Sequence, residues 1–163
     1  MDDEQFRLKR IGTVRLEDGG EEAVKRGGTA RGAVEVLDEY APGLEGLDGF
    51  SHLILLSYLD RVTPEERGTL KVKPRRFIRE GASPAEVPIV GVFSTASPHR
   101  PNPIAVTIVR LLRREGSRLE VDGLDLFDST PVVDIKPYTE NRAVAGVEYA
   151  PWYSRLKNRR GKV

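Results

Sequence analysis

Four aspartates fall between positions 122 and 134, Asp122, Asp125, Asp128 and Asp134, and Lys136 and Tyr138 follow in PVVDIKPY. Carboxylates at this density can take a proton or disperse developing positive charge without a metal. An extended segment points alternate side chains to one face, which puts Val132, Asp134 and Lys136 on one side and Val133 and Ile135 on the other. Two readings of that face stand side by side. One is an ordinary Asp134–Lys136 ion pair on a structural strand. The other is a pair lining a substrate cavity, with Tyr138 at its rim offering a ring on which a base can stack. The neighbouring LDLFDSTP has a plainer reading as a turn, because Asp128, Ser129, Thr130 and Pro131 are all favoured turn residues.

A second stretch, STASPHRPNP at 94–103, places three prolines within six positions. Each fixes φ, lacks a backbone donor and pushes the residue before it toward extended geometry. Ser97, Arg100 and Asn102 occupy those pre-proline positions, so Arg100 and Asn102 are expected to project together, roughly 6–7 Å apart. Recognition at Pro98, Pro101 and Pro103 must then use side chains and carbonyls. The competing reading is a rigid structural loop whose Arg100 pairs with an acidic neighbour.

Other chemistries are excluded or lack their residues. The chain has no cysteine, which removes disulfides, thiolate zinc sites and a cysteine nucleophile. His52 and His99 lie far apart with no metal-ligand spacing around either, and no metal is expected; His52 reads as a hydrogen-bonded structural residue. GLEGLDG (43–49) neither follows a strand with a phosphate-binding turn nor opens a helix, and no Walker motif, nucleophile elbow or HExxH occurs.

The elements that must position these groups are short and β-like. RLKRIGTVRL, ARGAVEVL, HLILLSYL, PIVGVFST, IAVTIVRLL, SRLEVDGL and PVVDIKPY recur between Gly, Pro, Asp and Ser. In IAVTIVRLL, Ile104, Val106 and Ile108 face one way and Ala105, Thr107 and Val109 the other; neither face is polar, so the strand is expected to be covered on both sides. TPEERGTL offers Thr63 as N-cap and Pro64 at N1 of a helix that Gly68 limits. The expected fold is mainly β, a single-sheeted antiparallel β-barrel with short helical segments, since closure removes free strand edges. At 163 residues the expected division is a barrel domain over 1–140 and a basic C-terminal extension over 141–163.

Net charge is +1, but KVKPRRFIR (71–79) and SRLKNRRGKV (154–163) concentrate basic residues. They read either as solvated surface or as phosphate-backbone contacts. The acidic N-terminus is unlike a signal peptide, and the longest apolar run, LILL, is too short to span a bilayer, so a cytoplasmic protein without a membrane partner is expected.

LDGFSHLILLSYLDR (47–61), GVFSTASPHRPNPIAVTIVRL (91–111) and LDLFDSTPVVDIKPY (124–138) together resemble the TrmO family of tRNA methyltransferases, also called TsaA- or YaeB-like. The resemblance runs from about residue 10 to 140. It implies a dimerising β-barrel, likewise expected here as a homodimer, that binds S-adenosylmethionine (S-adenosyl-L-methionine, SAM) and methylates N6 of threonylcarbamoyladenosine at tRNA position 37, holding the anticodon arm. By resemblance, Asp60, Arg61, Thr95, Ala96, Val106, Leu124, Asp125 and Leu126 contact the cofactor. By the same analogy Arg100 and Asn102 are expected to hold the pocket together or touch substrate, while the residues themselves offer Asp128 and Tyr138 as further substrate candidates and Asp134 with Lys136 as the candidate catalytic pair. The chain departs from the family in three places: EEAVKRGGTARG replaces a longer Pro-Arg-Gln loop, Ala96 stands where an arginine is usual, and Asp60 replaces a histidine. These departures keep a second reading open, a catalytically divergent RNA- or small-ligand-binding barrel or a methyltransferase with a different substrate.

Overall fold

Alternating residues become strands where one face has a core to enter. The computed structural model describes residues 6–158, among which eight strands follow in chain order: β1 (Gly12–Leu16), β2 (Ala30–Val36), β3 (His52–Tyr58), β4 (Lys71–Val72), β5 (Val90–Gly91), β6 (Ile104–Glu115), β7 (Arg118–Leu124) and β8 (Pro131–Pro137). Six of them close into a barrel in the order β1-β2-β7-β6-β3-β8, with every pairing antiparallel. The fold is therefore the mainly-β closed barrel expected from the pattern. The exception is PIVGVFST, which yields only the two-residue β5, paired with β4, before a 3₁₀ turn at Val92–Ser94. Its alternation is real, but Val92 is already buried and Thr95 folds back onto the Val92 carbonyl, so no ladder can continue.

The barrel belongs to one of two compact units, Met1–Arg61 with Ile104–Thr139; the other is Val62–Pro103 with Glu140–Val163. Inside the barrel, Val14, Val34, Leu53, Leu55, Val109, Leu119, Val121, Leu124 and Val132 are essentially inaccessible, each buried side chain contributing about 1.5–3 kcal/mol. Gly32 is required where β1 and β2 approach, because a Cβ there would stand 2.2 Å from the Arg15 carbonyl oxygen. Three register shifts, at Ala30/Arg31, Leu111/Arg113 and Leu56/Ser57, interrupt the ladders, as strands that bend around a small barrel require.

The third shift overturns one expectation. Leu56 pairs with Asp134 but Ser57 with Val132, leaving Val133 as an extra residue. This bulge moves Val132 off the face of Asp134 and Lys136. Val132 and Ile135 join the core instead.

The second unit has its own core of Phe77, Ala82, Val87 and Leu156. In it, α2 (Pro64–Arg67) starts as expected at Thr63, whose Oγ1 accepts the Glu66 N–H while the Glu66 carboxylate accepts the Thr63 N–H, and Gly68 ends it. Phe77, on α3 (Arg75–Arg79), packs edge-on against Trp152 and Tyr153 of α4 (Pro151–Lys157), with centroids 6.1 and 5.1 Å away. The two basic runs, far apart in sequence, thus share one unit. Arg159, Arg160 and Lys162 of the second run lie outside the described residues.

Candidate active site

Antiparallel order brings the end of β3, the start of β6 and the end of β7 to one end of the barrel. Asp60 and Arg61 follow β3, Val106 is the third residue of β6, and Leu124, Asp125, Leu126 and Asp128 lie at or just past the end of β7. Within this set the roles differ. Leu124 and Leu126 send their side chains into the core, and Leu124 still pairs with Ala30 of β2. Val106 points outward and is 67% exposed. The Asp60 carboxylate is exposed and has no partner among the described residues. The Asp125 carboxylate accepts the Thr107 hydroxyl at 2.6 Å.

Asp128 organises the turn. Its carboxylate accepts the Leu16 N–H at 2.9 Å and the Ser129 hydroxyl at 2.9 Å, and Arg15 lies 3.9 Å away. The Leu16 N–H above all, then the Ser129 hydroxyl and the Arg15 and Arg61 charges, hold this carboxyl below its ordinary value against the opposing effect of desolvation. Arg61 donates to the Asp128 carbonyl at 3.0 Å, pairs with Glu21 at 2.9 Å and lies 4.7 Å over the Phe127 ring. That cross-linking ties α1 (Gly20–Lys25) and the end of β3 to the turn after β7. Ser129, at φ 66°, is the non-glycine residue in the left-handed region among those described, where a short polar side chain is tolerated.

On β8, Asp134 is in register with Leu56, which is in register on its other side with Val106, so Asp134 lies one strand across from Val106. Asp134 and Lys136 pair with each other on the outer face, and the second Asp134 oxygen accepts the Ile135 N–H at 2.9 Å. Tyr138 donates its N–H to the His52 carbonyl, at the far end of β3 from Asp60. The six steps from His52 to Tyr58, at about 3.3 Å each, put roughly 20 Å of strand between those ends. Among the barrel residues, the structure thus gathers the expected cofactor set and separates Tyr138 from it.

The proline loop belongs to the other unit. Its chain bends at Pro98 and over Arg100–Asn102, so Arg100 and Asn102 do not project as an extended pair. Asn102 is exposed. Arg100 instead curls back and donates to the carbonyls of Ser97, Val92 and Thr95. The cause is local. The 3₁₀ turn leaves carbonyls facing a loop whose prolines have no N–H to offer, and the guanidinium supplies the donors. Nor is the Arg100 partner acidic. Thr95 donates to the Val92 carbonyl and accepts the Ser97 N–H, Ala96 is exposed, and His99 meets Glu66 at 3.3 Å.

Thr107 is a polar group that pattern reading passed over. Its signal was a hydroxyl on the inward, otherwise apolar side of IAVTIV. Among the described residues no three His, Cys, Asp or Glu side chains gather to hold a metal ion, and no helix is long and apolar enough to cross a membrane.

The class defined by these elements is a small, closed six-stranded antiparallel β-barrel with the carboxylates of Asp60, Asp125 and Asp128 carried at one end. Residues 23–142 match the model of the tRNA-methyltransferase O N-terminal domain, and the chain belongs to that family. It is 42% identical over 120 residues to a probable S-adenosyl-L-methionine-binding protein of Archaeoglobus fulgidus, a match covering 74% of this chain and 30% of that protein. A second Archaeoglobus fulgidus protein, described as an S-adenosyl-L-methionine-binding protein, is 38% identical over 81% of this chain and 88% of its own length. The crystal structure of TrmO from Pseudomonas aeruginosa superposes with a TM-score of 0.63 at 30% identity, covering 91% of this chain and 63% of that one. The chain therefore spans less than a third of the first relative and just under two thirds of the crystallised TrmO.

Proposed function

We propose that this chain is a SAM-dependent methyltransferase acting on tRNA at N6 of threonylcarbamoyladenosine 37. The family match over residues 23–142 carries the reading, and the barrel end fits the cofactor. A sulfonium is a cation, and Asp60 and Asp125 supply carboxylate acceptors, while the Arg61 charge is engaged by Glu21 and the Asp128 carbonyl. A fully buried Ser57 hydroxyl with no partner adds polarity to the interior near that end. When bound, SAM supplies an electrophilic methyl group whose sulfur departs neutral and needs no acid. The chain's task is then to hold donor and acceptor in line and to disperse charge at the accepting nitrogen. Asp125, oriented by Thr107, serves the first need. Asp128 and Arg61 keep its turn in place. Thr95, Ala96 and Arg61 join the cofactor set, and Arg100 and Asn102 the substrate set, through the family resemblance; Asp128 and Tyr138 join the substrate set as the carboxylate and the ring the sequence offers there. Asp134 with Lys136 is the acid–base pair of this proposal.

The tRNA assignment draws support from charge. The unit built from Val62–Pro103 and Glu140–Val163 carries 13 Lys and Arg against 6 Asp and Glu, a formal +7, while the barrel unit carries 13 against 19, a formal −6. Arg75, Arg79, Arg155 and Lys157 are exposed on α3 and α4, where they can meet a phosphate backbone. A homodimer in the cytoplasm completes the proposal: Val106 and Ile108 are 67% and 52% exposed on β6, beside Leu56 and Ile54 of β3, and a second copy would cover them.

A second reading, a barrel that binds SAM without this methylation, is favoured by the 88% span of the Archaeoglobus SAM-binding protein. Two measurements separate them. Calorimetry at low salt is expected to show SAM binding, and its absence sinks both readings. Nucleoside mass spectrometry of tRNA from cells with and without the gene is expected to show loss of one methyl group on threonylcarbamoyladenosine; an unchanged nucleoside profile favours the second reading.

A further inference from the structure

Thr107 lies at 4% exposure on the inward face of β6, between Ala105 and Val109 and opposite Leu55. A valine would fill that space without a hydroxyl to satisfy, and burying an unpaired hydroxyl is costly. The hydroxyl is satisfied by one group, the Asp125 carboxylate, at 2.6 Å. Asp125 itself is exposed and has no need of a protein donor to stay solvated. The bond therefore does something other than solvate the acid: it holds one carboxylate oxygen against the barrel wall and leaves the other without a partner among the described residues. A second, independent observation points to a ligand at the same end. Ser57, diagonal to Thr107 across the β3–β6 ladder, is completely buried and its hydroxyl has no partner among the described residues. A folded interior keeps such a group at a cost in stability, and sites that bind ligands are where that cost is tolerated.

We propose that Thr107 is a positioning residue that fixes the Asp125 carboxylate for a polar group of the bound cofactor. The proposal rests on the SAM-binding reading above and adds to it a residue that contacts no cofactor. A charge-assisted hydrogen bond of this length is a strong one, and a carboxylate free to rotate binds more weakly than one held in place.

The test uses the full chain with Thr107→Val and Thr107→Ser. Calorimetric SAM affinity is expected to fall about tenfold in Thr107→Val and to stay within about twofold of wild type in Thr107→Ser. The thermal midpoint of Thr107→Val should fall only slightly, since valine leaves no buried hydroxyl unpaired and the exposed Asp125 carboxylate is hydrated once the bond is gone. Hydrogen exchange without cofactor should accelerate at the 124–127 amides in Thr107→Val alone. Wild-type affinity in Thr107→Val overturns the proposal, and so does equal weakening in both variants, which would point to packing rather than the hydroxyl. If the wild-type chain itself binds no SAM, the functional reading falls and the cofactor part of this proposal with it. Exchange then decides the remaining claim: faster exchange at 124–127 supports positioning of Asp125, and unchanged exchange overturns it.

Discussion

Replacing Asp128 with alanine removes the acceptor that joins the end of β1 to the turn after β7. Two hydrogen bonds are lost, from the Leu16 N–H and from the Ser129 hydroxyl, both at 2.9 Å, together with an Arg15 contact at 3.9 Å. Hydrogen bonds to a charged group contribute about 1.5–3 kcal/mol each when buried. Asp128 is 37% exposed, so water replaces much of that, and the Arg15 pair, about half exposed, adds a few tenths of a kcal/mol at most. The expected loss is about 2 kcal/mol. Asp128→Asn keeps an oxygen for Leu16 and should lose about half as much. Because the folded-state carboxyl is held below its ordinary value, the stability it contributes is complete above the unfolded carboxylate range and drains away as pH falls through the lowered folded value. Urea unfolding at pH 7, 5 and 3 should therefore show the gap between wild type and Asp128→Asn holding to about pH 5 and closing toward pH 3. A loss under about 0.5 kcal/mol for Asp128→Ala, or a gap to Asp128→Asn as wide at pH 3 as at pH 7, would refute the reasoning.

Phe77→Ala should cost about 3–5 kcal/mol, read from the fluorescence of Trp152, the single tryptophan of the chain, which touches Phe77 directly. Gly32→Ala should prevent folding, because its Cβ would meet the Arg15 carbonyl at 2.2 Å, while Gly91→Ala, with nothing within 4 Å, should express and melt like wild type; circular dichroism distinguishes the two. If tRNA binds α3 and α4, Arg79→Ala with Arg155→Ala should flatten the dependence of log affinity on log salt by about 0.7–0.9 per phosphate contact removed, and an unchanged slope excludes those arginines from the interface.

How much of this was legible in the residues depended on distance along the chain. The six barrel strands could be read because each alternation has its own core to enter, and the Thr63–Glu66 capping box could be read because it spans three residues. The bulge at Val133 could not, since it exists only in the pairing of β8 with β3; without it, strand parity assigns Val132 to the wrong side. Arg100 misled for a related reason. Proline statistics describe the chain one dihedral at a time, whereas the bends that turn its guanidinium inward answer to carbonyls left by a turn at Val92–Ser94. On β6, the two apolar faces were legible, but only the inward one is covered within a single chain. Of the site, the gathering at one barrel end follows from antiparallel order, while the Thr107–Asp125 bond depends on where the connection after β7 comes to rest.

Closure of the barrel has a bearing on synthesis. β1 must be zipped to β8 through Gly12 and Val132, and β3 finds its neighbours only in β6 and β8, with the whole 62–103 segment translated in between. On the ribosome, the first half of the sheet therefore emerges with open strand edges and waits several seconds for its partners, at the usual pace of about 5–20 residues per second. During that wait it is a template for unwanted pairing, which makes translation speed and chaperone supply determinants of yield for this chain.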